Sequence, residues 1–173
     1  LDLDLKIKFY DYESLYGKKF SNDIIDNLKK GEFILGKEIF KLEDNLKKYL
    51  NVKDVIACGN ATSALEIGLI NLNLPKNSEI IVPSHTFIAT INGIISAGHT
   101  PIIADIDKSG LLDIKKIENY INKRTKAIIC VNLNGMICEM KELIKICKKR
   151  KVYLIEESAQ AFGAEYNKKK SGS

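Results

Sequence analysis

The sequence predicts an α/β fold in which helices flank a mostly parallel sheet. Two patterns along its 173 residues lead to this prediction. Short apolar runs without polar alternation are typical of strands that are buried on both faces. These runs alternate with segments whose apolar residues recur at helical spacing, which is the order expected of parallel α/β sheets. We expect a helical arm over residues 1–35 and one large domain over residues 36–173.

The helices are predicted from apolar residues that lie three and four positions apart. Ser21 is expected to cap a short helix that ends at Lys30, and Asp113 is expected to cap a later one. A further helix is expected to follow Gly36. The predicted helices cover residues 21–30, 39–50, 61–73, 87–97, 113–121 and 140–149.

The strands are predicted from the apolar runs between these helices. Each run is four to six residues long and is followed by a loop of small or polar residues. The predicted strands cover residues 54–58, 79–82, 100–104, 126–131 and 152–156, with a short edge strand at 164–166.

The composition indicates a globular protein without a nucleic-acid or membrane partner. Hydrophobic residues make up 45% of the chain and charged residues 28%, which argues against disorder. No apolar run approaches the length of about 18 residues that a membrane-spanning helix requires. The net charge is only +5, and the lysines are spread over helix-like positions, as on solvated helix faces. A nucleic-acid surface normally clusters its basic residues and uses more Arg.

The four cysteines indicate neither a metal site nor a disulfide framework. No CxxC pair is present, and neither His stands at zinc-ligand spacing from a Cys. We therefore expect reduced thiols in a cytoplasmic protein. Cys58 and Cys130 are expected to be small buried side chains at the ends of strands.

A candidate anion site follows the first predicted strand. In open α/β sheets, ligands bind beyond the carboxyl ends of the strands. Gly59 and Asn60 there lead into Ala61, Thr62 and Ser63 at the start of a helix, where backbone N–H groups and hydroxyls can hold a phosphate. A simple helix cap is the alternative interpretation. Neither a GxGxxG fingerprint nor a P-loop is present.

Two further loops at the same edge of the sheet carry an aromatic ring and carboxylates. Phe87 follows the second strand and could stack on a planar ring, although taken alone it is more typical of a core residue. Glu156 and Glu157 end a buried strand, so their side chains should point in opposite directions. One of them could face a protonated ring nitrogen, and the alternative is an acid that caps the next turn.

The combination of these three features predicts a site for pyridoxal 5′-phosphate (PLP). A phosphate site, an aromatic residue and a carboxylate followed by Gln160 occur in that order along the chain. The phosphate of PLP needs a group of donors, its ring needs a stacking partner, and its pyridine nitrogen needs an acid to stay protonated. A protonated ring can act as an electron sink.

The chain also resembles the DegT/DnrJ/EryC1/StrS family of PLP-dependent sugar aminotransferases, from about Phe9 to Ser173. The resemblance rests on five short motifs in the same order and register. They are residues 31–38 (GEFILGKE), 59–65 (GNATSAL), 82–90 (VPSHTFIAT), 125–129 (TKAII) and 155–164 (IEESAQAFGA). It implies the large domain of the aspartate-aminotransferase-like, type I fold.

The resemblance also implies roles for particular residues. Thr62 and the amides from Ala61 to Ser63 would hold the phosphate, and Phe87 would stack on the ring. Glu157 would face the pyridine nitrogen, and Gln160 would lie near the ring hydroxyl. The family implies a homodimer with shared active sites that transfers an amino group from glutamate to a nucleotide-linked keto sugar. Its products enter surface polysaccharides, including O-antigens, or other glycans.

The sequence departs from the family pattern at three places. Glu157 stands where the family usually has the shorter Asp. Ala61 replaces a common Gly, which would matter if that residue had positive φ. The loop that contains Asn132, Asn134 and Met136 often carries His, Tyr and Gln in the family, so substrate preference is expected to differ.

The family's Schiff-base Lys is expected beyond Ser173, so we expect no catalytic residue within this chain. Lys168, Lys169 and Lys170 lie in a polar turn, whereas a catalytic Lys needs a desolvated site. On this resemblance the chain is expected to be an incomplete domain, inactive alone and prone to aggregate through an unpaired sheet edge. The alternatives are a PLP-dependent sugar dehydratase of the same family, in which His replaces that Lys, and a non-catalytic domain that binds a ligand or a partner. A Rossmann-type nucleotide binder is less favoured.

Overall fold

The computed structural model describes residues 12–31 and 34–173. Residues 1–11 and 32–33 lie outside the described part, so the start of the family resemblance and two positions of the 31–38 motif are not described. The chain divides into two compact units, residues 1–45 and 46–173, and each is described by itself. The division into an arm and a domain at residue 35 stays a prediction.

Two helices dominate the first unit. Helix α1 covers Tyr12–Lys30, and Gly17 interrupts it with a positive φ of 61°. The prediction that Ser21 caps this helix is wrong, because helical backbone already begins at Tyr12. Tyr16 and Phe20, whose rings stack with centroids 4.6 Å apart, extend the helical pattern toward the N-terminus. Helix α2 covers Lys37–Leu50 and crosses the boundary between the units.

The second unit contains a four-stranded parallel sheet in the order β2-β1-β3-β4. This architecture confirms the predicted α/β fold class with a parallel sheet. The strands are Glu79–Pro83 (β1), Thr100–Ala104 (β2), Thr125–Val131 (β3) and Tyr153–Glu157 (β4). The helices are Ala61–Asn71 (α3), Ile88–Ser96 (α4) and Met140–Arg150 (α5), with 3-10 turns at Ile117–Tyr120 and Leu133–Gly135.

The two central strands, β1 and β3, are almost entirely buried, whereas β2 and β4 are partly exposed. All five residues of β1 are buried, as are six of the seven in β3. α4 packs on β1 and β2, α3 packs on α4, and α5 packs on β4. The core is built mainly from aliphatic residues of the two central strands and of these helices, including Leu69, Ile81, Ile94, Ile128 and Leu143.

Two predicted elements are not present as expected. The segment 54–58 forms no strand, although four of its five residues are apolar and two of these, Val55 and Ile56, are β-branched. Asp113 does cap a turn, since its side chain accepts the N–H of Lys115 at 3.0 Å. An α-helix does not follow it, and a 3-10 turn at Ile117–Tyr120 stands in its place.

The chain closes with a small antiparallel hairpin, Glu165–Tyr166 (β5) and Lys169–Lys170 (β6). The short strand predicted at 164–166 is therefore present as Glu165–Tyr166, but it belongs to a separate two-stranded sheet and not to the edge of the four-stranded one. Asn167 and Lys168 form its turn with φ values of 50° and 64°. Two consecutive residues with positive φ are the conformation of a type I′ turn.

Left-handed backbone conformations recur outside glycine. Among residues 12–31 and 34–173, eight non-glycine residues have positive φ, and five of these are asparagines. Asparagine tolerates this conformation better than most residues. The five are Asn51, Asn73, Asn77, Asn134 and Asn167.

Within residues 12–31 and 34–173, no helix combines the length and the apolar character that crossing a membrane demands.

Candidate cofactor site

The N-terminus of α3 lies where the sequence predicted a phosphate site. Asn60 is the N-cap, and its side chain accepts the N–H of Ser63 at 2.9 Å. The first amides of a helix have no acceptor within the helix, so those of Ala61 and Thr62 point toward a potential anion. Ala61 is the first residue of the helix, so the strain expected from a positive φ does not arise. Asn60 can therefore cap the helix while an anion binds at the same helix N-terminus. The cap uses the amide of Ser63, and the Ser63 hydroxyl remains available to the anion.

Phe87 is an exposed ring and not a core residue. It directly precedes α4 with extended backbone (φ −70°, ψ 141°), and 67% of its surface is exposed. The residue type and its apolar neighbours alone favoured burial, and this interpretation is wrong. The start of α4 is instead stabilised by the hydroxyls of Thr86 and Thr90, which lie 2.8 Å apart. An exposed ring at the carboxyl end of β1 is available for stacking on a ligand.

Glu157 is half-buried at the carboxyl end of β4. Its Oε1 accepts the N–H of Ala159 at 2.8 Å, so it caps the turn that follows the strand. A carboxylate has two oxygens and about four acceptor positions, and one backbone donor uses only one of them. The turn-capping and ring-facing interpretations of this residue are therefore compatible.

Ala61 and Glu157 line the same cavity, which has a volume of about 370 Å³. This volume is within the range of about 300–1,000 Å³ that is typical of small-molecule sites. One wall of the cavity is the apolar face of α3, and the opposite wall is the end of β4 and the loop after it. Its lining comprises Ala61, Ala64, Leu65, Gly68, Leu69, Leu72, Ile155, Glu156, Glu157, Ser158 and Ala159.

The other predicted site residues lie outside this lining. Thr62 and Ser63 are in the first turn of α3, and Phe87 follows β1. The exposed Gln160 accepts the backbone N–H of Asn134 through Oε1 at 3.1 Å. Gln160 therefore links the loop after β4 to the loop after β3, and its predicted position near the ring hydroxyl stays a prediction.

A buried polar cluster behind Glu157 was not predicted from the sequence. Asn132 is fully buried directly after β3, and its Nδ2 donates to Glu156 Oε1 at 2.5 Å and to Ser171 Oγ at 2.8 Å. Ser171 Oγ also lies 2.8 Å from Ser158 Oγ. The sequence shows only that Asn132 departs from the family pattern of its loop. Its partners Glu156 and Ser171 lie 24 and 39 positions away along the chain, so no local pattern indicates these contacts.

The three lysines near the C-terminus do not occupy a desolvated site. Lys168 and Lys169 are exposed in the hairpin. Lys170 is half-buried, but its Nζ lies 3.2 Å from Glu165 Oε1 and 4.8 Å from the centre of the Tyr49 ring. These contacts explain its position without a catalytic role.

The cysteines differ in exposure. All four are free thiols, and Cys130, Cys138 and Cys147 are buried. Burial raises the pKa of Cys147 to about 11. Cys58 is exposed, so the expectation of a buried side chain is wrong for it. It is the last residue of the segment 54–58, which forms no strand.

Comparison with known proteins extends this picture to most of the chain. The sequence profile of the DegT/DnrJ/EryC1/StrS aminotransferase family matches residues 15–173. GDP-perosamine synthase from Caulobacter vibrioides is 40% identical over 140 residues, which cover 80% of this chain and 38% of that protein.

Solved structures show the same fold. Helicobacter pylori PseC, an aminotransferase involved in the biosynthesis of pseudoaminic acid, has a TM-score of 0.84 at 33% identity. That match covers 88% of this chain and 42% of the PseC chain. NtdA from Bacillus subtilis with bound cofactor PMP has a TM-score of 0.83 at 32% identity, over 91% of this chain and 38% of that one. The chain thus spans about two fifths of the length of these relatives.

Proposed function

Because the chain belongs to the DegT/DnrJ/EryC1/StrS aminotransferase family, we propose that the protein is a PLP-dependent sugar aminotransferase. It transfers an amino group from glutamate to a nucleotide-linked keto sugar, for the synthesis of a surface polysaccharide, such as an O-antigen, or of another glycan. The names of GDP-perosamine synthase and of PseC support this class of substrate and reaction. NtdA, which has the same fold over this region, supports the cofactor because it was solved with PMP.

One observation carries the assignment of the cofactor to this chain. Ala61, at the start of a helix, and Glu157, at the end of a strand, line one cavity although they are far apart in sequence. The helix start offers backbone donors to a phosphate, and the strand end offers a carboxylate to a ring nitrogen. PLP carries both a phosphate and a basic ring nitrogen, so the residues present fit the group.

The remaining residues complete the proposed binding site. The amides of Ala61 and Thr62 and the hydroxyls of Thr62 and Ser63 hold the phosphate. Phe87 covers one face of the ring, and Gln160 lies near the ring hydroxyl. When bound, PLP supplies an electron sink for the chemistry at the amino-bearing carbon. The residues of this chain bind it, orient it and keep its ring nitrogen protonated.

Glu157 performs the last of these tasks in place of the shorter Asp. Its Oε1 is already engaged by the N–H of Ala159, which fixes the carboxylate at the end of β4. The second oxygen would be available to accept a hydrogen bond from the N–H of the protonated ring nitrogen. A charge-assisted hydrogen bond of this kind contributes about 1.5–3 kcal/mol.

We further propose that the protein is a cytoplasmic homodimer with active sites shared between the subunits. The four free thiols support a reducing compartment. The homodimer rests on the family alone. Light scattering after size exclusion measures the mass directly, and a monomeric mass for the whole gene product would contradict the dimer.

Titration of PLP into the whole gene product tests the cofactor assignment. We expect saturable binding with a shift of the PLP absorbance band. Glu157→Gln should raise the Kd about tenfold or more, because it removes a charge-assisted bond. Glu142→Gln is the matched control, since Glu142 only pairs with Lys145 on the surface of α5. Absence of saturable binding to the unmodified whole gene product would refute the assignment.

An assay of the whole gene product tests the reaction. Glutamate-dependent amination of a nucleotide-linked keto sugar is the expected result, detected by mass spectrometry of the sugar. A deoxygenated product that has gained no nitrogen would instead identify the dehydratase of the same family.

A further inference from the structure

The carboxyl ends of β3 and β4 are joined by a polar cluster, which we define as the buried Asn132 and Ser171 together with the half-buried Glu156 and Ser158. Asn132 is fully buried and Ser171 is 3% exposed. The residues come from three loops and one strand end, and the contact between Asn132 and Ser171 spans 39 positions of sequence. Buried polar groups of this kind are kept only where they are hydrogen-bonded.

Asn132 is the centre of this cluster because all of its side-chain groups have partners. One N–H donates to Glu156 Oε1 and the other to Ser171 Oγ. Its Oδ1 accepts the backbone N–H of Cys138 at 3.0 Å. A carboxylate at this position would lose both donors and repel Glu156, and an apolar side chain would leave the Cys138 amide buried without an acceptor.

The same residue holds the backbone of Glu157. The N–H of Asn132 donates to the carbonyl of Glu157 at 2.9 Å. Asn132 therefore fixes two adjacent residues, Glu156 through its side chain and Glu157 through its main chain. Successive side chains of a strand point to opposite faces, so a fixed Glu156 also fixes the direction of Glu157.

Ser171 closes the cluster from the hairpin side. Its hydroxyl lies 3.0 Å from Glu156 Oε1 and 2.8 Å from Ser158 Oγ. With one proton to give, it donates to the carboxylate while it accepts from Asn132 and Ser158. The Glu156 carboxylate is thereby held by two donors, whereas Glu157 is held by the single amide of Ala159.

We propose that Asn132, supported by Ser171, is a positioning residue that engages Glu156 and so leaves Glu157 as the one carboxylate directed to the cofactor ring nitrogen. This inference rests on the proposed function and explains how the site distinguishes the adjacent acids Glu156 and Glu157. Asn132 does not touch the cofactor. It acts through the peptide and side chain of the strand end.

The test uses the full chain with PLP that carries ¹⁵N at the ring nitrogen. The Kd and the ¹⁵N chemical shift of bound PLP are measured for the unmodified chain, Asn132→Asp, Ser171→Ala and Ser171→Thr. Asn132→Asp should raise the Kd about tenfold, as loss of an outer hydrogen-bonding partner commonly does, and should move the shift toward the unprotonated value. Ser171→Ala should change both in the same direction by less, and Ser171→Thr, which keeps the hydroxyl, should restore them.

Asn119→Asp is the matched control, because it makes the same change at an exposed position in the 3-10 turn after β2. The inference is overturned if Asn132→Asp and Ser171→Ala lower the urea midpoint but leave the Kd and the ¹⁵N shift unchanged. If Asn132→Asp does not fold, the comparison of Ser171→Ala with Ser171→Thr tests the inference by itself. Failure of the unmodified chain to bind PLP would overturn the proposed function and this inference with it, whereas normal binding with insensitive variants would overturn the inference only.

Discussion

At the scale of single residues, Phe87 shows how position in the fold overrides residue type. A Phe that opens an apolar helix is usually buried, yet this ring is mostly in contact with solvent. Its extended backbone turns it away from the helix that follows. The side chain therefore contributes little to the folding of this chain, and its exposure is compatible with the proposed stacking on the cofactor.

Phe87→Ala should separate stability from binding. We expect the free energy of unfolding to change by less than about 0.5 kcal/mol, as for most surface substitutions. The Kd for PLP should rise about fivefold, since aromatic stacking contributes about 1 kcal/mol. Urea denaturation and PLP titration measure the two effects. Phe40→Ala, at a ring of α2 that is 58% exposed, should change neither; a loss of stability without a loss of affinity at Phe87 would contradict the assignment.

At the scale of elements, the contact between α3 and α4 depends on a glycine. A Cβ placed on Gly93 would lie 3.0 Å from the Cβ of Leu65, so the two helices approach closely at this point. By contrast, a Cβ on Gly68, inside α3, would meet no atom within 4 Å. The two glycines lie in facing helices, but only one of them is required by packing.

Substitution of the two glycines should therefore have opposite effects. Gly93→Val should lower the free energy of unfolding by about 1–3 kcal/mol, because it overpacks a closed contact. Gly68→Ala should raise it by about 0.5–1 kcal/mol, because Ala favours the helix interior. Both values come from urea denaturation followed by circular dichroism. Equal free energies of unfolding for the two variants would show that α3 and α4 can move apart at Gly93 without loss of stability.

An ion pair between two other elements makes stability depend on pH. Hydrogen bonds from Arg150 and Lys149 of α5 hold the pKa of Glu118, in the 3-10 turn, below its usual value of 4.5. A lowered pKa in the folded state means that the stabilisation is complete above pH 4.5 and is lost as the pH falls through the folded value. Glu118→Gln should thus be less stable than the unmodified chain at pH 6, and the two urea midpoints should converge toward pH 3. A difference that persists at pH 3 would contradict this linkage.

The elements that the sequence predicted well are those whose apolar pattern agrees with their tertiary contacts. The runs that became β1 to β4 were located to within one residue at each end, because each strand contains consecutive apolar residues, as is typical of a parallel sheet covered by helices. The run at 54–58 has the same composition but no hydrogen-bonding neighbour in the described sheet. Asp113 has cap chemistry, which specifies a turn but not the length of the helix after it.

At the scale of the whole molecule, the two ends of the sheet carry different chemistry. The carboxyl ends bring together Glu157, the start of α3 and the cluster around Asn132. At the amino end, the carboxylate of Glu79 is almost fully buried and accepts from Asn122 Nδ2 at 2.6 Å. Arg124 pairs with the same carboxylate. This second set of charges holds the amino ends of β1 and β3 together, far from the proposed site.

Arg124→Ala should therefore affect stability alone. It leaves a buried carboxylate with only its amide partner, which should cost about 1–3 kcal/mol of the free energy of unfolding. The Kd for PLP should stay within about twofold of the unmodified chain. Urea denaturation and PLP titration on the same preparation test both statements. Weakened binding in a fully folded variant would show that the two ends of the sheet are coupled.

The candidate site was predicted from sequence only where its residues are local. Asn60 to Ser63, Phe87 and Glu157 follow strands or open helices, so the pattern of elements places them at one edge. Asn132 and Ser171 are different, because each is an ordinary polar residue whose burial depends on a partner in another loop. No periodicity or short motif encodes such a contact.

The five asparagines in left-handed turns have a consequence for the chain before it folds. Glycine would adopt the same positive φ with less strain, but it would also give the unfolded chain more conformations to lose. Asparagine limits that freedom at each turn, so part of the stability of these turns arises in the disordered ensemble and not in any native contact. A composition rich in Asn therefore lowers the entropy that this chain loses on folding.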